Sequence, residues 1–330
     1  MQIPIPNDSE GRIGRMCPRH DCSPGYFRVK LGTGITEGQQ VAYCPYCRQE
    51  GAPRDFATEE QTRYAKDVMI KEAQQGIEGM IKDAFGIGSS GRRRLGGGLL
   101  SMELSYKPSS PSHVQPPHED VLQRVVMCPN CGLDHAVFGL AFWCPDCGLD
   151  IFMTHVGAEY GVVKTMLSDV DRRKTALGAR IGARDLENCL EDVVSIYETV
   201  LKVLFIRTLR ERGKVEDEIQ DILKKQVRNV FQNVNRSAEI IEKELGVSLF
   251  DPSDAGIREK LTSSFEKRHP ITHNLGVVDR KYLEKALSEE REGREINITY
   301  TELTESIDIA LKVLGSLHGR LFLKDSCNPK

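Results

Sequence analysis

Eight of the ten cysteines fall into four close pairs, Cys17/Cys22, Cys44/Cys47, Cys128/Cys131 and Cys144/Cys147. A zinc ion takes four soft ligands in a tetrahedron, and two C-x2-C pairs at the mouths of tight turns supply them with little strain. Cys128-Pro-Asn-Cys131-Gly132 and Cys144-Pro-Asp-Cys147-Gly148 share that pattern, each with a glycine where the chain must turn sharply toward sulfur. The first set is less regular, because Cys17 and Cys22 are five apart and His20 competes with Cys22 as a ligand. Four-cysteine sites leave no open position for water, so two structural Zn2+ ions are expected. Cys189, inside an apolar helical pattern, reads as a core residue, and Cys327 lies in a polar tail.

A redox reading competes at Cys44-Pro-Tyr-Cys47, which matches the active-site tetrapeptide of glutaredoxins. That motif opens a helix after a strand, whereas here Arg-Gln-Glu-Gly-Ala-Pro follows and another cysteine pair lies upstream, which favours metal.

The second constellation is Arg268-His269-Pro270-Ile271-Thr272-His273-Asn274. Histidine moves protons near neutral pH, and the arginine fork suits a phosphate. Together they can serve attack of a ribose 2′-hydroxyl on the neighbouring phosphate, which needs a proton acceptor, a proton donor and positive charge on the phosphoryl oxygens. In one helix Arg268 and His273 would lie about 140° apart, so Pro270 is expected to break the helix between them. Two bland readings stand beside this one. Arg268 and His273 would be helix caps paired with acids, or His269 and His273 would be metal ligands at i and i+4, with Asp279 the only acid close behind. There is no G-x-x-x-x-G-K-[ST] loop, H-E-x-x-H or G-x-S-x-G elbow, and Gly86-x-Gly88-x-x-Gly91 follows a helix rather than a strand, which disqualifies it as a dinucleotide site.

The elements around these residues follow from periodicity. Strand-like GYFRVKL and VAY flank a turn-rich stretch between the first two cysteine pairs, which predicts a hairpin. From Thr58 to Phe85 apolar residues recur at helical spacing, opened by a Thr58/Gln61 capping box and closed by Gly86. After the second cysteine set, Lys164 to Leu323 is almost wholly helical in pattern. Four apolar stripes run through Leu186–Phe205, Val227–Leu245, Ile257–Phe265 and Leu303–Leu321, the last opened by Thr299 and Glu302.

These stretches give a mainly α protein in which two small zinc-ribbon β modules and a helix precede a C-terminal helical bundle. The segments are residues 10–55 (first ribbon), 56–86 (amphipathic helix), 87–120 (a Gly/Ser/Pro-rich linker in which LLSMELSY alone reads as a strand), 121–160 (second ribbon) and 161–326 (helical domain). With no apolar run long enough to span a bilayer and no signal-peptide core at the start, a cytoplasmic protein without a membrane partner is expected. The net charge of −3 gives no global pull on nucleic acid, so RNA contact must come from local patches. Arg92–Arg94, Arg172–Lys174 and the set Lys202, Arg207, Arg210, Arg212 and Lys214 are candidates, each equally readable as a solvated helix face.

Around residues 267 to 283 the sequence resembles the HEPN ribonucleases, helical bundles whose signature is an arginine, often followed by a polar residue, then histidine after four to six residues. Arg268, His269 and His273 match it, and Asn274 with VVDRKYL is similar to bacterial members. The resemblance covers residues 185 to 324 as a helix pattern, and Arg15 and His20 repeat the bare spacing, so its specificity comes from context. It implies a metal-independent endoribonuclease leaving a 2′,3′-cyclic phosphate and a 5′-hydroxyl, of the toxin or anti-phage defence type. It further implies a homodimer with the site across its interface and an antitoxin or defence-system partner. By that likeness His273 is the base or acid, Arg268 the phosphate clamp, His269 and Asn274 assist, and an acid on the first long helix (Glu187, Glu191 or Asp192) joins them. The competing reading is a non-catalytic module that holds RNA or a nucleotide while the ribbons recruit a partner.

Overall fold

The computed structural model describes residues 3–87, 92–95, 102–105, 114–117, 124–251, 254–286 and 290–323. The chain divides into two compact units, Met1–Phe152 and Met153–Lys330. Cys327, Gly88, Gly91 and most of the 87–120 segment lie outside the described residues.

In the first unit the strands β1 (Arg12–Met16), β2 (Tyr26–Lys30), β3 (Ala42–Tyr43) and β4 (Glu50–Gly51) precede helix α1 (Glu59–Ala84). The ribbon of β5 (Arg92–Leu95) and β6 (Met102–Ser105) follows, then β7 (Arg124–Met127) and β8 (Asp134–Val137). At the Cys44/Cys47 knuckle β3 pairs with β4 rather than with β2, and the two cysteine segments are joined through their remaining strands. They share one antiparallel sheet in the order β1-β2-β8-β7, in which Phe27 faces Val137 and Val29 faces His135 across the central pair. Alternation in β2 explains the pairing: Phe27 packs with Cys17, Cys44, Phe56 and Val137 in one small core, and the neighbouring Arg28 is buried against Asp8 at 3.1 Å. Arg12 on β1 forks onto Asp134 at the start of β8 with bonds of 3.0 and 3.1 Å, fixing the order of the strands. Thr58 and Gln61 cap α1 reciprocally, as their spacing predicts.

The second unit is helical, and α2 (Phe152–Leu177) enters it from the end of the first. It continues through α3 (Ala179–Glu211), α4 (Glu216–Ile222), α5 (Val234–Leu245), α6 (Ala255–Glu266), α7 (Arg268–Asn274), α8 (Arg280–Ala286) and α9 (Tyr300–Phe322). The stripe on α3 buries Leu190, Val193, Tyr197, Leu201, Leu204 and Phe205 completely. Packed along it is α9, with Leu303, Ile307, Ala310 and Leu314 buried in turn. Each large side chain so buried contributes about 1.5–3 kcal/mol. Thr299 caps α9 by accepting from the Glu302 amide. The Val227–Leu245 stripe is not one helix. Val227 ends a π-turn, Arg228 sits at φ 38°, Val230–Gln232 is a single tight turn, and α5 starts only where Asn233 accepts from the Arg236 amide. The capping asparagine offers the backbone an alternative to a continuous helix, and the apolar residues stay buried on either side.

Candidate functional site

The cysteines converge as two sets, Cys17/Cys22/Cys44/Cys47 and Cys128/Cys131/Cys144/Cys147, with ligand atoms within 4.8 Å of one another in each. Sulfur–sulfur distances within the sets include Cys17–Cys47 at 3.6 Å, Cys22–Cys44 at 3.7 Å, Cys131–Cys144 at 3.5 Å and Cys128–Cys147 at 3.7 Å. These are far beyond the ~2.05 Å of a disulfide and close to the ~3.8 Å edge of a tetrahedron with ~2.3 Å metal–sulfur bonds. Burial pushes the thiols of Cys22, Cys44 and Cys144 up. Four thiolates at such depth require a central cation, so the donor sets fit a soft tetrahedral ion such as zinc. His20 is exposed and belongs to neither set, so Cys22 is the fourth member of the first. No α-helix starts at Cys44; the chain runs into β4 instead, against the glutaredoxin geometry.

The two knuckles also grip each other. Tyr43 N–H donates to Pro145 O at 2.8 Å, and the Phe142 and Trp143 amides donate to Pro45 O at 2.9 and 3.1 Å. Asp146 accepts from the Ile35 amide and Gln39, tying the second knuckle to the loop of the first. After the second knuckle, Gly148 is at φ 65°, and a Cβ there would sit 2.9 Å from the Tyr43 ring. The equivalent place after Cys47 is Arg48, also left-handed at φ 61°, whose guanidinium lies 4.7 Å over the Trp143 ring.

In the second unit, Arg268, His269, His273 and Asn274 all sit on α7. Pro270 does not break it. The break falls three residues earlier, at Lys267, just after Glu266, whose carbonyl loses the amide that Pro270 cannot supply; within α7 Pro270 holds the third position, where its missing N–H is one of the donors a helix leaves unused. Arg268 and His273 therefore stay about 140° apart within one chain. Arg268 turns toward the tight turn at Val230–Gln232 and donates to Gln232 Oε1 at 2.9 Å. His269 and His273 share a face with ring centroids 5.0 Å apart, and His269 Nε2 lies 3.6 Å from Asp279 Oδ2. Partial burial holds the His269 pKa below its ordinary value, with Lys281, His273 and Lys285 acting in the same direction and Asp279 opposing. Asn274 closes the turn after α7 by donating to Val277 O at 2.7 Å. Among the described residues, the histidine pair is not part of a metal-ready cluster.

Of the three candidate acids, all on α3, Glu191 accepts a 2.9 Å hydrogen bond from Thr272, the residue before His273. Glu187 is buried and bridges Arg180 and Arg184 at 2.8 and 2.7 Å. Its carboxylate lies 3.2 Å from where a Cβ on Gly276 would be, so the arginine pair stands beside the turn that ends α7. Sequence reasoning missed Gln232, Thr272, Arg180 and Arg184. Only the proximity of Thr272 to the motif pointed to any of them. Four members of the basic runs it chose instead pair with acids: Arg172 forks onto Asp169, Arg173 onto Asp185, Arg207 pairs with Glu211 and Arg210 with Glu216.

An open cleft of about 940 Å³ lined by Phe250, Asp254, Arg258, Glu259 and Lys285 contains none of the α7 motif residues. The α7 groups lie outside that cleft, with His273 and Asn274 exposed and Arg268 and His269 partly so. Among the described residues no helix is long and apolar enough to cross a membrane. No family model matches the chain, and neither does any curated protein or solved structure.

Proposed function

We propose that the helical unit is a metal-independent endoribonuclease of the HEPN type, and that the cysteine sets hold two structural zinc ions. The observation that carries this reading is the makeup of α7. One seven-residue helix presents an arginine, two histidines 5.0 Å apart and an asparagine, beside an acid from α3. A 2′-oxygen bonds to phosphorus while the bond to the 5′-oxygen breaks. One histidine takes the 2′-hydroxyl proton and the other gives a proton to the leaving oxygen, while Arg268 stabilises the charge on the phosphoryl oxygens. The products are a 2′,3′-cyclic phosphate and a 5′-hydroxyl. His269, kept neutral by its half-buried position, is suited to accept a proton. Because Arg268 and His273 diverge in one chain, the working site takes Arg268 and the histidines from two copies facing each other through α7. Arg180 and Arg184 extend positive charge along the RNA. A toxin or defence effector, restrained by a partner protein, is the role this activity suits.

The test is cleavage of total RNA by purified protein, with EDTA added at the start of the reaction. Cyclic-phosphate ends are expected, and Arg268→Ala or His273→Ala should lower the rate by roughly 10²–10⁴-fold with zinc content and melting unchanged. Binding of RNA without cleavage would replace the enzyme by the binding-module reading. Full activity in both folded variants would leave the reaction without a site.

A further inference from the structure

Helix α1 is an amphipathic helix on which Ile70, Ile77 and Met80 are not buried by any of the described residues. Its 26 residues make a rod about 39 Å long. It is anchored at its start, where the buried Gln61 donates to Gly14 O at 2.8 Å. Between Thr62 and Gly86 no residue is buried. An apolar stripe on a helix of a folded domain normally faces a core, yet here Ile70, Ile77 and Met80 are 51%, 52% and 66% exposed.

The spacing of the exposed residues says what covers them. Ile70, Ala73, Ile77, Met80 and Ala84 follow one another at intervals of three, four, three and four, and all five are exposed. That is the a/d repeat of a coiled coil, whose knobs fit the holes of another helix with the same repeat. Met69, at 55% exposure, flanks the seam and widens it. We infer that α1 pairs antiparallel with α1 of a second copy of this chain. Size and charge select both occupant and direction. Two copies reversed about Gln75 set Ile70 against Met80 and Ala73 against Ile77, giving the small residue in the seam a large partner. The same register brings Lys66, at the next seam position, beside Asp83 of the other helix. Parallel in-register pairing would instead stack Ala73 on Ala73 and Lys66 on Lys66, leaving a gap and a like-charge contact. An antiparallel pair is isologous, so it closes as a two-fold dimer. This interface is separate from the α7 pairing proposed above and does not depend on RNA cleavage.

The test places benzoylphenylalanine at Ile70 of the full chain and irradiates an equal mixture of 14N- and 15N-labelled protein before tryptic digestion. The expected product joins the Asp67–Lys71 peptide of one isotope to the Glu72–Lys82 peptide of the other, because Met80 of the second copy lies opposite position 70. Met80→Lys, at an exposed position, should abolish the link without changing the melting temperature. A light–heavy link between two Asp67–Lys71 peptides would overturn the antiparallel arrangement. Absence of any link between copies through α1, or a link that survives Met80→Lys, would overturn the interface, whatever dimer the helical unit forms.

Discussion

Replacing Cys144 by alanine tests whether the two cysteine sets behave as one folding unit. Cys144 is fully buried, with its sulfur 3.5 Å from that of Cys131, so the variant loses one of four ligands at the second site. A structural zinc contributes apparent folding free energy of ~10–16 kcal/mol in isolated fingers, comparable to the whole stability of a domain at ~5–15 kcal/mol, so the β7–β8 knuckle should unfold. In independent ribbons the first site would keep its zinc unchanged. Here β8 is also the neighbour of β2, and Val137 and Ala141 are part of the core around Cys17 and Cys44. Losing them removes a buried valine, worth ~1.5–3 kcal/mol, and two or three ladder hydrogen bonds at ~1 kcal/mol each. The Arg12–Asp134 fork goes as well. A deficit of about 4–6 kcal/mol corresponds to roughly 10³–10⁴-fold weaker zinc binding at the intact first site. Metal analysis, with chelator competition to rank affinity, reads this directly. Wild type should hold two zinc ions, and Cys144→Ala should lose the second and surrender the first to a chelator that wild type resists. A variant that keeps one zinc at wild-type affinity would refute the coupling through β2 and β8.

Other outcomes follow from single residues. His135 is buried on β8, and burial lowers its pKa to about 4. The unfolded chain therefore binds the proton first as pH falls from about 6.5, and the first unit loses about 3 kcal/mol by pH 4; unfolding midpoints of wild type should drop across that window more steeply than those of His135→Gln, and parallel curves would exclude this source. Gly276 sits at φ 81° with Glu187 Oε1 3.2 Å from its Cβ position, so Gly276→Ala should cost about 1–2 kcal/mol, seen as a melting temperature lower by about 2–6 °C. An unchanged melting curve would show that the turn after α7 does not rest on Glu187. Under the proposed ribonuclease activity, Glu191→Ala should slow RNA cleavage, since it frees Thr272 beside His273; rescue of the rate by Glu191→Gln would assign the residue to positioning, and equal losses in both would assign it to charge.

Features encoded within a few residues were legible without the fold. Three C-x2-C pairs and the wider Cys17/Cys22 pair place four soft donors where they can close around one ion, and both sets assemble as predicted, with Cys22 and not His20 completing the first. The Thr58/Gln61 and Thr299/Glu302 starts hold because a cap is satisfied by the amide three residues on. The α3 stripe holds because its period matches the helix. What the tertiary structure alone decided is who meets whom. Arg12 finds Asp134 across 122 residues, and strands from two cysteine segments merge into one sheet, because an edge strand carries unpaired donors and acceptors but no address. Pro270 interrupts the helix four residues before itself, where Glu266 O lacks its amide, and so sits in the first turn of α7 instead of between Arg268 and His273. Gln232, Glu191, Arg180 and Arg184 reached the neighbourhood of α7 from distant elements, and Arg173 and Arg210 found Asp185 and Glu216 at spacings that helix periodicity does not specify. Local spacing fixes a residue's angle on its own helix, whereas burial of the whole apolar surface fixes which faces touch.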